Sequence, residues 1–533
     1  MKFFNIVCKS TLLLAGGLCL LACEIEEEIE DELTEEEVFS TPGGTEQLVA
    51  PAYASLRDLL KQDGVFGVNE HTSDEMLGPT RGTDWDDNGV WRTLHTHTWD
   101  ANNLFIRNSW QDLNRGISRA NSALGVLEQA EPTEANLRLI AETRTLRALF
   151  SFFITDMFGQ LPFRETDDTD FTSPGSVLTR PEAFEFMRTE LTEAVNNLGE
   201  RSEVVYGRMN KSSARTLLMA LNLNHAVFTG QEDNARYTEV VGLADEVINN
   251  GGYSLAEDYF AIFNNDNTET EGQNEAIIAV EFNDTEDLGV ANQLFINMTL
   301  HYNQRWGDNN EFSAWNGFTT IADFYNRFDQ NDSRLLDSTY AVSGIARGFL
   351  EGPQLTEGGE YILVRGADVS TVPSPENPPV PLLNYTSDVS LTGNTEFNGI
   401  RVIKYQPDND SPQQTRADYD YIMWRFADVY LMKAEALWRL GNDGEAIIAL
   451  NEVRTARGLD PVTAIDADVI LNERGYELYW EGHRRRDLIR FNRFNDAYTL
   501  KDASPEFRTL FPIPQTAIDS DPNLTQNEGY TGG

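Results

Sequence analysis

Residues 421–458 read YIMWRFADVYLMKAEALWRLGNDGEAIIALNEVRTARG, and this stretch decides the class of fold. Apolar residues recur with a spacing near 3.6 on both sides of a glycine-rich turn, which predicts one helix over 421–440 and a second over 445–456. Small side chains at Ala434 and Ala446 would let the two backbones approach closely. Such a pair is typical of helical repeats, in which stacked hairpins bury faces that no single hairpin could bury alone. The predicted apolar faces are Ala427, Leu431, Ala434 and Trp438 in the first helix and Ala446, Leu450 and Val453 in the second.

The same spacing predicts five further helices upstream. They cover residues 45–60, 104–128, 134–158, 212–228 and 237–249. Between 344 and 410 the chain is rich in proline and glycine, which indicates loops and short strands. We therefore expect a mostly α-helical protein in which loops on a rigid scaffold carry the binding site.

The first 22 residues have the order of an export signal: two lysines, then an apolar run that is too short to span a bilayer and ends in LLA. Cys23 follows, and the arrangement resembles the lipobox of bacterial lipoproteins, in which the cysteine is lipidated and becomes the new N-terminus. The alternative is an ordinary thiol in an uncleaved leader. From residue 24 to 37, ten of fourteen side chains are acidic. This composition predicts a solvated tether over 23–40, ahead of a domain over 41–533.

The chain is strongly acidic, since 86 aspartates and glutamates against 41 lysines and arginines give a formal net charge of -45. Nucleic-acid binding draws its affinity largely from clustered basic residues, and the sequence has no basic stripe, so that function is excluded. Anionic membrane surfaces and strongly acidic ligands are disfavoured for the same reason. Neutral solutes, cations and adaptation to a salty medium remain, and composition does not choose among them.

Four motifs occur in order along the chain. They are ETRTLRALF at 142–150 with FGQLP at 158–162, RFADVYL at 425–431 with AEA at 434–436, ER at 473–474 through EGHR at 481–484 with DL at 487–488, and PIP at 512–514 with NLTQN at 523–527 and GY at 529–530. Together with the lipobox, they resemble the SusD/RagB family of Bacteroidetes outer-membrane lipoproteins. The resemblance spans nearly all of the mature chain, with a C-terminal repeat and signature over 420–533.

This resemblance implies a mostly α-helical, SusD-like fold in which four tetratricopeptide-repeat-like helical pairs support a loop-rich ligand-binding face. It also implies a protein that is not an enzyme, that captures a nutrient, often a glycan, and that passes it to a SusC-like TonB-dependent transporter. The acidic residues after Cys23 resemble the signal that sends such lipoproteins to the cell surface, so the expected location is the outer membrane, facing the exterior. A RagB-like binder of peptides or other nutrients is the first alternative, and a surface glycosidase is the second.

The ligand site is sought among aromatic residues in loops, because sugar rings have apolar faces that stack on aromatic side chains while amides and carboxylates bind their hydroxyls. By analogy with the family, the candidates are Trp99, Tyr302, Trp306 and Trp315, with Trp91, Asn102 and Arg305 in the same two stretches. The alternative is that these aromatics fill the core or face the transporter. Trp110 and Trp438 have apolar neighbours at helical spacing and are assigned to the core.

Residues 84–89, DWDDNG, match the opening of an EF-hand loop, but the twelfth position is His95 instead of glutamate. The oxygen ligands of such a Ca²⁺ site would be Asp84, Asp86 and Asn88. No cofactor is otherwise expected. His95 and His97 could share one side of a strand as metal ligands, yet two histidines do not complete a zinc site. Solvated side chains are the simpler interpretation of that pair.

The sequence contains no Gly-x-Ser-x-Gly elbow, no Walker loop and no His-Glu-x-x-His motif. Glu473, Glu477 and Glu481 recur at a spacing of four, which lines one face of a helix, and like charges so aligned repel each other unless cations lie between them. Three arginines follow at 484–486. We interpret the pattern as a partly buried ion network and not as a catalytic or ligand site, because structural ion networks also collect charged residues.

Overall fold

A buried strand precedes the C-terminal helical pair. In the computed structural model, Tyr421–Arg425 is a strand, followed by the helices Phe426–Arg439 and Asp443–Ala456. The helical pair is confirmed, but its first five residues are corrected from helix to strand. All five are buried, as are all residues of their partner strand Ala276–Val280. A short apolar run that is buried on both faces has no period that tells a strand from a helix.

The structure describes residues 44–168, 173–283, 292, 294–307, 311–337, 345–356, 359–364 and 382–530. The export signal, Cys23 and the acidic tether lie outside these residues. None of the helices in the described ranges has both the length and the apolar character that crossing a membrane requires.

Seventeen α-helices are assigned within the described residues. They are α1 (Gly44–Asp58), α2 (Val65–His71), α3 (Val90–His95), α4 (Leu104–Leu127), α5 (Glu134–Phe158), α6 (Arg180–Asn197), α7 (Lys211–Leu223), α8 (His225–Thr229), α9 (Asn234–Asn250), α10 (Glu271–Glu275), α11 (Leu294–Thr299), α12 (Ala322–Tyr325), α13 (Phe426–Arg439), α14 (Asp443–Ala456), α15 (Ala467–Leu478), α16 (Arg484–Arg490) and α17 (Gln515–Ser520).

Short strands form five small antiparallel sheets in the same part of the chain, with the strand orders β1-β2, β10-β7-β6, β11-β3, β4-β5 and β8-β9. The strands are β1 (Gln160–Phe163), β2 (Ser176–Thr179), β3 (Ala276–Val280), β4 (Arg305–Trp306), β5 (Phe312–Ser313), β6 (Leu336–Asp337), β7 (Arg347–Leu350), β8 (Gly352–Pro353), β9 (Asn384–Tyr385), β10 (Arg401–Ile403) and β11 (Tyr421–Arg425). The described parts of the proline- and glycine-rich insert therefore contain loops and short strands, as the sequence predicted.

The main helices stack in chain order, and each of α4, α5, α6, α7, α9, α13 and α14 packs against the next. Close approach of α4 and α5 depends on Gly116, where a Cβ would lie 2.6 Å from the ring of Phe150. The predicted inner faces of α13 and α14 are buried, with Trp438 half-buried at the edge, where it stacks on Phe491. Trp110 is in the core, as predicted.

The sequence analysis missed helix α6, although its start carries a recognisable signal. The Glu182 side chain accepts a hydrogen bond from the backbone N–H of Thr179 at 2.9 Å, which forms part of a capping box. The helix is largely polar on its outer side, so few of its residues contribute to the apolar pattern. The predicted helix over 212–228 is divided into α7 and α8 at Asn224.

Glu477 lies at the centre of a buried ion network. Its carboxylate accepts hydrogen bonds from Arg425 at 2.5 Å, from Arg457 at 2.7 Å and from Arg334 at 2.9 Å, and all four side chains are fully buried. The flanking pairs are Glu473 with Arg334 and Arg454, Glu481 with Arg425 and Lys404, and Glu275 with Arg425 and Arg457. The predicted ion network is confirmed.

Two details of that prediction are corrected. Helix α15 ends at Leu478, so Glu481 is not on the same helix face as the other two glutamates. The three consecutive arginines also make their contacts outside the network around Glu477. Arg484 pairs with Asp74 and Arg485 with Asp156, each at 2.7 Å, while Arg486 lies over the rings of Phe152, Phe153 and Trp424. The cations around Glu477 come instead from positions distant in sequence.

Candidate functional site

Three loops meet around the buried side chain of Arg81. Its Nε and Nη2 donate to the carbonyl oxygen of Gly317 at 3.2 and 3.0 Å, and its Nη1 donates to the carbonyls of Thr395 and Asn398 at 2.9 and 2.8 Å. Burial, reinforced by the neighbouring Arg401, lowers the pKa of the Arg81 guanidinium. Backbone carbonyls supply these acceptors, so Arg81 fixes the relative positions of the three loops.

The loop after Arg81 brings the side chain of Trp85 into contact with the backbone of Trp315. The indole N–H of Trp85 donates to the backbone carbonyl of Trp315 at 3.0 Å, and Trp85 itself adopts a positive φ of 60°. Gly317 lies so close to the Trp85 ring that a Cβ there would be 2.4 Å from it, so only glycine fits. Trp315 is 44% exposed. The arrangement presents the Trp315 side chain to solvent on a well-supported backbone.

Trp99, Trp306 and Trp91 do not share that exposure, being 2%, 1% and 4% exposed. The indole N–H of Trp99 donates to the hydroxyl of Tyr530 at 2.8 Å, and the Trp91 ring contacts those of His71, Trp85, Phe105 and Phe318. Their rings therefore pack in the core, although Trp91 and Trp99 also line a cavity that is described below. This burial favours the alternative of core aromatics for these three, and their role in ligand binding remains a prediction.

The remaining predicted residues are accessible. Tyr302 is half-buried and its ring lies 4.0 Å from that of His301, while Arg305 and Asn102 are exposed. Burial lowers the pKa of His301 to about 4, so the ring beside Tyr302 is neutral at physiological pH. Tyr302, Arg305 and Trp315 belong to one segment that includes the hairpin β4-β5. Their role in ligand binding remains a prediction.

A cavity of about 660 Å³ is lined in part by Asp87, Asn88 and Val90 of the 84–90 loop. The edges of Trp91 and Trp99 reach it, and Asn102 lies in its wall. Its other polar wall residues are Gln62, Asp63, Asp87, Asn88, Thr93, Thr98, Asp100 and Asn103, and no lysine or arginine lines it in the described part of the chain. The cavity is therefore suited to an uncharged or cationic ligand and not to an anionic one.

The partial EF-hand match does not form a calcium loop in the structure. The Asp86 carboxylate pairs with Arg92 at 2.9 Å, and the Asp87 carboxylate accepts from the Trp91 indole N–H at 2.7 Å. Asp84 and Asn88 are exposed, and Asn88 has a positive φ of 54°. Across the described ranges, no three His, Cys, Asp or Glu side chains are grouped so that they could hold a metal ion.

His95 and His97 are buried instead of solvated, and they lie at the end of helix α3 and just after it instead of in a strand. The Nε2 of His97 is 2.9 Å from the carbonyl of Thr72, and the Nε2 of His95 is 3.1 Å from the carbonyl of Thr499. Burial lowers the pKa of both rings, that of His95 to about 4. They are neutral core side chains that connect distant segments.

Comparison with known proteins decides the family. A family model described as "SusD family" matches residues 274–530, and one described as "Starch-binding associating with outer membrane" matches residues 31–223. The chain belongs to the SusD/RagB family. Proteins of the SusD family are non-catalytic binders, so the expectation that this chain is not an enzyme is confirmed.

Similar SusD proteins match along most of their length. Starch-binding protein SusD from Bacteroides thetaiotaomicron is 27% identical over 497 residues, which are 87% of this chain and 85% of that protein. A solved SusD superfamily protein from Parabacteroides distasonis superposes with a TM-score of 0.71 at 20% identity, covering 94% of this chain and 100% of the other. Surface glycan-binding protein A from Bacteroides thetaiotaomicron, solved in complex with laminarihexaose, superposes with a TM-score of 0.67 at 22% identity, covering 91% and 98%. The SusD-like, mostly helical fold is confirmed.

Sequence reasoning did not identify the residues that support the SusD-type loop face. Arg81 binds carbonyls from two loops that follow it by more than 200 residues, and a single arginine in a loop has no local pattern to indicate such contacts. Gly317 has a weak signal, because a glycine within an aromatic-rich segment often marks a close approach of other atoms.

Proposed function

We propose that the protein binds a neutral glycan with the Trp315 side chain as its stacking platform. The observation that carries the proposal is the exposed indole of Trp315, held above Trp85 in a loop region that Arg81 fixes. The apolar face of a sugar ring packs on an aromatic ring, and a rigid platform reduces the entropy lost on binding. Tyr302 and Arg305 lie on the same segment and would supply further contacts. The starch-binding and glycan-binding relatives support this class of ligand.

Charge favours neutral over anionic glycans. The chain has a formal net charge of -45, and among the residues that the structure describes, the 660 Å³ cavity is lined by three carboxylates and by no lysine or arginine. A sulfated or uronate-rich polymer would be repelled by this surface, and the repulsion would weaken with added salt. Binding to a neutral glycan depends little on salt by the same argument.

We also propose that the protein acts at the outer membrane. The predicted lipid on Cys23 would anchor it, the acidic tether would hold it away from the lipid surface, and a SusC-like TonB-dependent transporter would receive the captured glycan. Support comes from the family model that describes association with the outer membrane and from the lipobox. Copies held together at a surface would bind a polymer more tightly than single molecules in solution.

Replacing Trp315 with alanine is expected to lower affinity for the glycan by roughly 10-fold or more, about 1.4 kcal/mol, because the stacking platform is lost. The measurement is affinity electrophoresis of residues 24–533 through gels that contain a panel of neutral polysaccharides, followed by titration calorimetry with the polymer that retards the protein. Ile448→Ala is the matched control, since Ile448 is 64% exposed on helix α14.

Equal retardation of the Trp315→Ala protein and the wild type would remove Trp315 from the site. Binding of peptides without binding of any polysaccharide would favour the RagB-like alternative.

A further inference from the structure

A second groove lies beside the short strands of the loop-rich region. It encloses about 760 Å³ between the 330–336 turn, the end of β7 and strand β9, and it shares no wall residue with the 660 Å³ cavity. No lysine or arginine lines it in the described part of the chain. Of its two carboxylates, that of Asp332 is already paired with Arg334 at 2.7 Å. The groove is therefore nearly neutral, in contrast to the protein as a whole.

Polar groups in its wall have no hydrogen-bond partner among the described residues. The hydroxyl oxygen of Thr386 is buried and makes no hydrogen bond there. The side chains of Gln330, Asn384 and Ser387 likewise make none to the described part of the chain. Leaving the buried Thr386 hydroxyl unpaired costs about 1–3 kcal/mol, whereas Gln330 is exposed and Asn384 and Ser387 are half-buried, so water can bind them. A ligand with hydroxyl groups would satisfy two amides and two hydroxyls in one place.

The floor of the groove is apolar. It consists of Tyr325 and Phe349, both buried, with Leu336 at the side and 47% exposed. Burial, followed by the effect of Glu351, raises the pKa of Tyr325 to about 12, so the phenol keeps its proton at physiological pH. An apolar floor with neutral hydrogen-bonding groups along the rim suits a sugar chain, whose ring faces are apolar and whose edges carry hydroxyls.

Strand β9 connects the groove to the Trp315 segment. Successive side chains of a strand point to opposite faces, and the hydroxyl of Tyr385 accepts from the backbone N–H of His301 at 3.0 Å, next to Tyr302. Tyr385 and its neighbours Asn384 and Thr386 all line the groove. Tyr385 thus lines the groove and also contacts the backbone next to Tyr302.

We propose that this groove is a second sugar-binding site, which takes another part of the same neutral glycan chain. The inference rests on the proposed function, because it assumes that the ligand is a glycan. Two separate contacts on one polymer raise its overall affinity by the effective concentration of the second contact. A short oligosaccharide occupies each site independently, whereas a long chain engages both.

The test uses the polysaccharide that retards the wild type and its own short oligosaccharides, with residues 24–533 of the wild type and of three variants. Asn384→Leu with Thr386→Val removes polar groups of the groove, Trp315→Ala removes the first platform, and Asn196→Leu is the control for an exposed amide on helix α6. Titration calorimetry gives the stoichiometry for the oligosaccharide and the affinity for the polymer. Near-ultraviolet circular dichroism and thermal melting confirm that each variant is folded.

We expect two oligosaccharide sites per wild-type chain and one in the groove variant and in Trp315→Ala. Polymer affinity should fall roughly 10-fold or more in the groove variant and stay unchanged in Asn196→Leu. A single oligosaccharide site in the wild type, together with unchanged polymer affinity in the groove variant, would overturn the inference and leave the proposed function intact. Failure of the wild type to bind any glycan would instead refute the proposed function.

Discussion

Replacing Glu477 with alanine is expected to lower the free energy of unfolding by about 3–5 kcal/mol, as is usual when one partner of a buried ion pair is removed. The carboxylate accepts from Arg334, Arg425 and Arg457, and all four side chains are fully buried. Without it, three guanidinium groups remain in the interior with fewer negative charges around them. They are fully buried and therefore do not reach water in the folded protein.

The expected loss is measured by chemical denaturation, with two matched controls. Asp468→Ala removes an acidic residue of the same helix, but its partner Arg493 is 3.1 Å away in a pair whose side chains are 66% and 48% exposed. That change should cost about 0–1 kcal/mol. Glu477→Gln keeps the shape and removes only the charge, so it separates lost packing from lost charge. Unfolding of Glu477→Ala at the same denaturant concentration as the wild type would contradict the prediction.

The contribution of Glu477 also depends on pH. Burial alone would raise the pKa of its carboxyl, but Arg457, Arg425 and Arg334 lower it well below its usual range. Because the folded value lies below the unfolded value of about 4.3, the stabilisation is fully present above that pH and is lost as the pH falls through the folded value. The stability difference between the wild type and Glu477→Ala should therefore shrink in strong acid.

The long helices could be predicted from the sequence because their evidence is local. The predicted helix over 134–158 matches α5 (Glu134–Phe158), and the one over 104–128 exceeds α4 (Leu104–Leu127) by one residue. The ion network could be predicted only in part. Repulsion among aligned glutamates requires cations, but sequence spacing does not say which ones, and Arg334 lies about 140 residues from Glu477.

The candidate site was harder to predict, because the chemistry of a side chain does not reveal which way it faces. Trp306 and Trp315 lie nine positions apart in one loop-rich segment, yet one is 1% exposed and the other 44%. A large aromatic ring stabilises a core as well as it binds a sugar. Only the three-dimensional contacts, such as those of Arg81 with Gly317, determine which ring remains at the surface.

Glu70→Gln is expected to stabilise the protein at pH 8 by on the order of 3–4 kcal/mol, at about 1.4 kcal/mol per pKa unit. Glu70 and Glu75 are buried together, and the Oε2 of Glu70 and the Oε1 of Glu75 have no donor among the described residues. Two such oxygens can hydrogen-bond only if one carboxyl carries a proton. Burial, only partly offset by the N–H of Gly482, raises the pKa of Glu70 to about 7, and burial followed by Glu70 raises that of Glu75 well above its usual value.

Other charged groups face this pair. Lys404 and Glu481 act on Glu70, while Asp74 and Arg484 act on Glu75, with Arg484 Nε 3.9 Å from the Glu75 carboxylate. Arg484 is mainly engaged with Asp74 at 2.7 Å, so it does not supply the missing donor. The amide of a glutamine at position 70 would donate to Glu75 permanently, in place of the shared proton.

The sign of the effect follows from linkage. A carboxyl whose folded pKa lies above its unfolded value contributes stability that is fully present below about pH 4.3 and is lost as the pH rises through about 7. The six histidines make the folded protein less stable as the pH falls, which is opposite to the effect of Glu70. Burial lowers their pKa values, so protonation in acid favours unfolding. The pH dependence of wild-type stability therefore combines both effects. The difference in unfolding free energy between Glu70→Gln and the wild type reports the contribution of the Glu70–Glu75 pair alone.

That difference is measured by denaturation at several values between pH 4 and pH 8. It should be near zero at pH 4, where the wild-type pair is protonated in both states, and it should grow in favour of the variant up to about pH 7. Glu445→Gln, an exposed change on helix α14, should differ from the wild type by less than about 0.5 kcal/mol throughout. A variant that is equally stable relative to the wild type at pH 4 and pH 8 would show that the two carboxyls do not hold a proton, and Arg484 would then have to neutralise them in the fold.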